Sequence, residues 1–538
     1  MVNIVGIILN DKQLRCTDMV KEVEIRISPD HIDDDIYIKA YLAKKCKIVE
    51  TAITSVKLIK RSIDARKKDV VYQLRYLVGI DQKIKPTISN IKYQQAQKNT
   101  IRVTIVGAGP AGYFAALHCL ELGLKPIVLD RGKDVRARRR DLKAIQQDGV
   151  VDPNSNYCYG EGGAGTYSDG KLYTRSHKRG NIKEVLQILV DHGAKDDILI
   201  DAHPHIGSNK LPGIIANMRA TIRSNGGEIH FDTKVTDLVI RKNRIVELQS
   251  EDGKVWPCDK VVFATGHSAR DIYRLFHTKK IAMELKPFAL GVRIEHPQEL
   301  IDKIQYAHAP RHKNLPAASY KVVSQVDKKG VFSFCMCPGG LVVPSATQPG
   351  EIVVNGMSLS KRDSAYANSG VVTEVGTLEL EAQGYEGVFA ALDFQAKVEQ
   401  QMFQASDGSQ RAPAQRLVDF VEGKGSANLS DTSYIPGLIS SPLHELLPDF
   451  IYERLRKGVM DFDKKLKGYH TQEANVIGVE SRTSSPIRIP RDKLTYAHPE
   501  FVNLYPCGEG AGYAGGILSA ALDGRNIVKA IHTKLNNA

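Results

Sequence analysis

The chain changes texture at Ile101. From there IRVTIV runs as an unbroken apolar strand of the kind buried on both faces of a parallel sheet. PAGYFAALHCLELG follows with helical spacing, and PIVLD supplies a second strand. Together they predict a βαβ unit. Before it, KEVEIRIS, TAITSVKLIK and VVYQLRYLVGI alternate apolar and polar residues. Between the first two of these lies DDDIYIKAYLAKK, with acids at its start and lysines at its end, as a helix dipole favours. This predicts a small α+β domain over residues 1–95 with one wet sheet face, opened by an MVNIVGIILNDK strand and closed by a polar linker over 83–100. Residues 276–474 mix strands (FALGVRIE, GVFSFCMC, EIVVNGMSL) with helical stretches (ALDFQAKVEQQMF, LHELLPDFIYERLRKGV). They predict a substrate domain inserted between the two parts of a nucleotide-binding domain, 100–275 and 475–538. In the second part FVNLYPCGEG and a long helix restore the parallel-sheet pattern.

The 538 residues are enough for several domains, and no apolar run is long enough to cross a bilayer. A cytoplasmic protein is expected, since the N-terminus lacks a basic region before its apolar run. Eight scattered cysteines imply reduced thiols. The CxC at Cys335 and Cys337 lacks the further cysteine or histidine ligands of a zinc site, so no metal is expected. Net charge of +13 favours anionic partners without choosing among them. Its densest run, Arg131 through Lys143, alternates with acids and reads as a solvated helix face rather than a nucleic-acid patch.

Gly107, Gly109 and Gly112 form GxGxxG between a strand and a helix, as GAGPAG with Ala108, Pro110 and Ala111. The first glycine permits the turn, the second lets backbone approach a pyrophosphate, and the third lets helix and strand pack closely. Asp130, followed by Arg131, ends the second strand where a carboxylate accepts both hydroxyls of an adenosine ribose. Its charge disfavours a 2′-phosphate.

Three later segments favour FAD over NAD. KVVFATGHSARD ends a strand in Ala264, Thr265 and Gly266, and resembles the strand that returns to the nucleotide in two-dinucleotide-binding-domain flavoproteins. GGEIHFDTKVTDL resembles the segment that presents a backbone group to adenine, here Val235. NLYPCGEGAGYAGGILSAALDG resembles the C-terminal FAD motif, with Gly508 and Glu509 toward phosphate and ribitol, and with Gly515, Gly516 and Ile517 opening a helix toward the flavin. Many relatives carry Asp where Glu509 stands. A helix dipole at the pyrimidine edge stabilises the negative charge that reduction brings.

The string GEGGAGTYSDGKL, together with KPFALGVRIEHPQ, FSFCMCPGG and the C-terminal motif, closely resembles a bacterial family known as uncharacterised FAD-dependent dehydrogenases, over nearly the whole chain. The resemblance implies a glutathione-reductase-like fold: α/β, a Rossmann-type FAD-binding domain with an inserted mixed α+β domain and a small N-terminal α+β domain. In that reading Gly162, Gly163 and Gly165 let a loop pass close to a flat ring. Thr166, Ser168 and Lys171, with Asp169 in the same string, lie where donors meet flavin oxygens or N5. No second GxGxxG marks an internal NAD(P)H domain, and the CxxxxC of disulfide reductases is missing.

An FAD-dependent dehydrogenase is therefore expected, passing hydride or electrons through N5 to or from a small molecule or redox partner. A flavin-dependent modifier of tRNA or another anionic macromolecule, and a flavin-bound sensor, are the alternatives. Arg293, Glu295, His296, Cys335, Cys337, Gly339, Gly340, His203 and His205 are candidates for substrate chemistry, with none assigned a catalytic role.

Overall fold

The computed structural model describes residues 19–67, 69–85, 91–97, 99–173 and 180–537. The expected opening strand, Cys16 and part of the linker lie outside these residues. Contacts divide the chain into two units. The smaller holds the described residues before Ile91 together with Ile200–Ala202, and the larger holds the rest.

In the smaller unit the strands Met19–Ile27, Ile53–Asp64 and Val71–Ile80 form an antiparallel sheet with Val71–Ile80 central. Burial alternates along the central strand, as the sequence pattern predicts. The helix Asp35–Cys46 is opened by the Asp34 carboxylate, which accepts from Tyr37 N–H at 2.9 Å, and its Ile38 and Leu42 are buried.

The larger unit is built on two sheets. Five parallel strands lie in the order Leu504–Pro506, Lys260–Phe263, Arg102–Val106, Lys125–Leu129, Glu228–His230. All four residues of Lys260–Phe263 are buried, as a strand covered on both faces requires. The fingerprint helix Pro110–Glu121 is buried along nearly its whole length, partly beneath the C-terminal helix Ile517–Asn536.

A seven-stranded sheet carries the expected strands Phe288–Pro297 and Lys329–Cys337, with Tyr366–Val375 between them. It also takes Asn475–Glu480, which pairs with Phe288–Pro297 on one side and Ala412–Arg416 on the other. The boundary expected at 474 therefore falls too early: this strand is apolar and wholly buried like those of the parallel sheet, so its pattern alone does not say which sheet it joins. The expected helix over LHELLPDFIYERLRKGV is two helices, Leu443–Leu446 and Asp449–Lys465, because Pro448 starts the second and pushes the residue before it out of the helical region. The basic run 131–143 does form a helix, Val135–Gln147, but Arg138 within it is fully buried: its Nε donates to Asn156 O and its Nη1 to Glu161 O, both at 2.8 Å.

Among the described residues no helix is long and apolar enough to cross a membrane.

Candidate cofactor site

The fingerprint turn is set by backbone geometry. Gly107 takes φ +108°, and a Cβ on it would overlap the Ala264 carbonyl of the neighbouring strand. A Cβ on Gly112 would overlap Gly107 O, so helix and turn meet without room for a methyl group. Gly109 has only Gly163 Cα, 3.9 Å from where its Cβ would lie.

Asp130 is buried and accepts from Ala108 N–H at 2.7 Å and Gly132 N–H at 2.8 Å. Burial pushes its carboxyl above the usual range, against the pull of these amides and of Arg138. The residue expected to face a ribose is thus first a clamp on the turn itself. Asp130→Ala would leave two buried amides without acceptors. At about 1–3 kcal/mol for each unsatisfied group, it is expected to lower stability in urea unfolding and weaken FAD retention together. Arg131 pairs with Asp271 and lies over the Tyr159 ring at 4.6 Å.

The glycine loop is laid directly on this turn. Gly162 N–H donates to Ala108 O at 2.8 Å, and a Cβ on Gly165 would stand 3.2 Å from both Pro110 and Ile517. The starts of the fingerprint helix and the C-terminal helix therefore converge on one loop, and neither has a side-chain cap. The loop is anchored from below by Glu161, which accepts from Tyr113 Oη at 2.7 Å, Val135 N–H at 2.8 Å and Arg219 at 3.0 Å. Its carboxyl is raised by burial, against those donors.

The return strand and the C-terminal motif also meet. Cys507 N–H donates to Phe263 O at 2.9 Å, a Cβ on Gly510 would stand 2.6 Å from Gly266 O, and His267 Nδ1 is 3.5 Å from Glu509. Asp523, on the C-terminal helix, reaches back to accept from Gly508 N–H at 2.7 Å while Arg491 grips it with Nη1 and Nη2 of its guanidinium.

Several expected donors have other partners. The Thr166 hydroxyl donates to Glu161 O at 3.0 Å and that of Ser168 to Gly165 O at 2.8 Å, because hydroxyls in a buried loop must be satisfied within it. Asp169 accepts from Ser358 and Arg362, and Lys171 stands 3.7 Å from the sulfurs of Cys335 and Cys337. Val235 has its side chain in the core at the start of the strand Val235–Arg241, just beyond Thr233, whose N–H donates to Asp130 O at 2.8 Å.

Of the substrate candidates, Arg293 is buried against Glu480 at 2.7 Å and Asn368 at 2.6 Å, Glu295 accepts from Thr432 and Ser433, and His296 pairs with Tyr469 O at 2.8 Å. Burial brings His296 down to about 4, so it stays neutral. These three brace the large sheet. His205 Nε2 pairs with Ser360 O, and the His203 ring packs against Tyr173.

Sequence reasoning missed Gly132, whose Cβ would stand 2.6 Å from Gly160, and also Glu161, Asp523 and Gly524. Gly132 directly follows Asp130–Arg131, and Glu161 sits inside the quoted glycine string; both were visible as residues without a partner to interpret them.

Residues 287–483 match the family described as FAD-dependent protein, C-terminal domain-like, and residues 19–79 match a Domain of unknown function (DUF8436). An uncharacterised protein of Clostridium beijerinckii is 38% identical over 529 residues, covering 94% of this chain and 97% of that one. The chain belongs to the family of this Clostridium protein, and its residues 287–483 match the FAD-dependent C-terminal domain-like family. FAD is its cofactor. Distant likeness extends to solved flavoproteins: CtdE in complex with FAD (12% identity, 80% of this chain and 84% of that one, TM-score 0.32) and CmlS, a flavin-dependent halogenase (12%, 82% and 59%, 0.36).

The site fits the cofactor of this FAD-dependent family. A Cβ on Gly266, Gly515 or Gly516 would meet nothing within 4 Å, so these glycines are not demanded by protein packing. They lie near two helix starts that have no side-chain cap, where open backbone suits an anionic dinucleotide.

Proposed function

We propose that the protein is an FAD-dependent oxidoreductase acting as a dehydrogenase, with a small molecule or redox partner as its substrate. The observation that carries this reading is the convergence of the two uncapped helix starts, Pro110 and Ile517, on the loop at Gly165. Bound FAD supplies a hydride or electron acceptor at N5. The Gly109, Ala111 and Gly112 amides would hold the pyrophosphate, and Asp130 keeps that turn in shape and would accept from the ribose. Gly508 and Glu509 would reach the phosphate and ribitol. The helix start at Gly516–Ile517 stabilises negative charge at the pyrimidine edge, which favours the reduced cofactor.

Anaerobic titration of the purified yellow protein with NADH, NADPH and candidate organic donors tests this. Loss of the oxidised-flavin band, restored by an organic acceptor without oxygen, is the expected result. Retention of the band with every donor, or restoration by oxygen alone, overturns the dehydrogenase reading.

Gly515 separates binding from folding. Because its Cβ meets only open space, Gly515→Ala is expected to leave the stability of the FAD-free protein within about 0.5 kcal/mol and to weaken FAD binding about tenfold or more, ~1.4 kcal/mol. Thermal unfolding and flavin-fluorescence titration read the two effects.

A further inference from the structure

The strand Lys329–Cys337 departs from regular pairing between Phe334 and Cys337, and Cys335 in that irregularity holds φ +46°. This left-handed backbone is costly for a residue with a Cβ and persists only where surroundings impose it. Cys337 Sγ donates to Cys335 O at 3.2 Å, which ties the inner thiol to the backbone of the outer one. Lys171 Nζ stands 3.7 Å from both sulfurs and 3.2 Å from Asp169. The Lys171 side chain is 36% exposed although Asp169 beside it is 1% and Cys337 is 0%. Cys335 is partly exposed and Cys337 is buried. The pair therefore has an outer sulfur within reach of a ligand and an inner one behind it.

We infer that Cys335 and Cys337 form a second redox centre that exchanges with small disulfide substrates, with Cys335 as the attacking thiolate, Cys337 as the resolving thiol and Lys171 as the cation that holds the charge. The Cys335 thiolate attacks one sulfur of the substrate; the substrate S–S bond breaks and half leaves as a thiolate. Cys337 gives up its proton to that thiolate and attacks Cys335 Sγ, expelling the second half as a thiolate. The two cysteines lose two electrons to the substrate, which leaves as two thiols once the second takes a proton from water, and the chain gains one intramolecular disulfide. An external dithiol resets it.

The surroundings agree with this division. The hydrogen bond from Cys337, with Lys171 and then Arg293, holds the Cys335 thiol well below the ordinary range against the push of burial, and Cys337 is driven well above it. Glu480, Asp169, Arg362 and Tyr320 are the other ionisable groups around the pair or its lysine. By contrast, burial pushes the thiols of Cys119, Cys258 and Cys507 up, as expected of inert core cysteines. Among the described residues no group of three or more metal-ligating side chains exists.

The test uses full-length, FAD-loaded protein reduced with dithiothreitol, desalted and mixed with oxidised glutathione. Mass spectrometry of the peptide carrying both cysteines is expected to show an internal disulfide, with two glutathiones released per chain. Cys337→Ser should trap one glutathione on Cys335. Iodoacetamide labelling of Cys335 should have a midpoint below that of a free thiol. Lys171→Met should raise that midpoint by about one unit and slow labelling about tenfold at a pH below the wild-type midpoint, where the thiolate fraction falls tenfold per unit. Flavin absorbance of each variant reports folding and loading independently. Free Cys335 and Cys337 after glutathione treatment, or a wild-type labelling midpoint at the free-thiol value, overturns the inference and leaves the flavin reading untouched.

Discussion

Gly524→Ala is expected to yield protein with little FAD and a greatly lowered unfolding temperature. Gly524 lies where the C-terminal helix crosses the fingerprint helix, and a Cβ there would overlap Ala111 O and press on the Ala115 amide. Both obstacles are backbone, so no rotamer change relieves the clash. Overpacking of a core costs about 1–3 kcal/mol even where side chains give way, and here the helices themselves must part. The crossing is also pinned one residue on, where Arg525 grips Glu121 at 2.6 and 3.1 Å and Glu184 at 2.6 Å. Separation at Gly524 therefore pulls Ile517 away from Gly165 and opens the place where the two helix starts meet. Circular dichroism melting and the flavin-to-protein absorbance ratio measure the two effects. A variant with wild-type flavin content would show that the crossing does not set the site. The contrast with Gly515→Ala is informative: one methyl group meets backbone, the other open space.

The difference between these two glycines also shows what the sequence makes legible. The fingerprint is local: Gly107, Gly109 and Gly112 act on one turn and one helix, so spacing alone reveals them. Gly524 has its reason in Ala111, far away in sequence, and nothing near it hints at that partner. Asp130 was found by its distance from the fingerprint, yet its amide partners at Ala108 and Gly132 emerge only once the strand end is folded back on the turn. The same holds for Arg138, whose neighbours in sequence are charged and whose neighbours in space are carbonyls. Lys171 was legible as a cation in a glycine loop. Its thiol partners belong to an antiparallel strand that periodicity places in another sheet, so the cluster exists only in three dimensions.

Glu399→Ala is expected to cost about 3–5 kcal/mol, the usual penalty for breaking a buried ion pair from one side, read as a lower urea midpoint. Glu399 is fully buried and accepts from Arg482 at 2.7 and 2.8 Å, from Arg270 at 2.8 Å and from Ser481 at 2.5 Å. Against the push of burial, the two arginines hold its carboxyl low, while burial and the Glu399 charge hold neighbouring Glu351 above the usual range. Removal leaves two guanidinium groups sharing one carboxylate, Glu351, with only the neutral Gln395 and Thr347 side chains beside them among the described residues. Glu399→Gln should fall between, since an amide still accepts but carries no charge. The loss should also reach the cofactor. Arg270 starts the helix just after Gly266, and through Glu399 it is tied to the helix Ala390–Gln404 and to Arg482 beyond the strand Asn475–Glu480. This network fixes the seven-stranded sheet to the turn that meets Glu509 and Gly510. Without Glu399, Arg270 keeps Glu351 and Gln395 but loses its link to Arg482 through Glu399, so that turn is held less firmly and FAD affinity should fall under conditions where the variant is still folded.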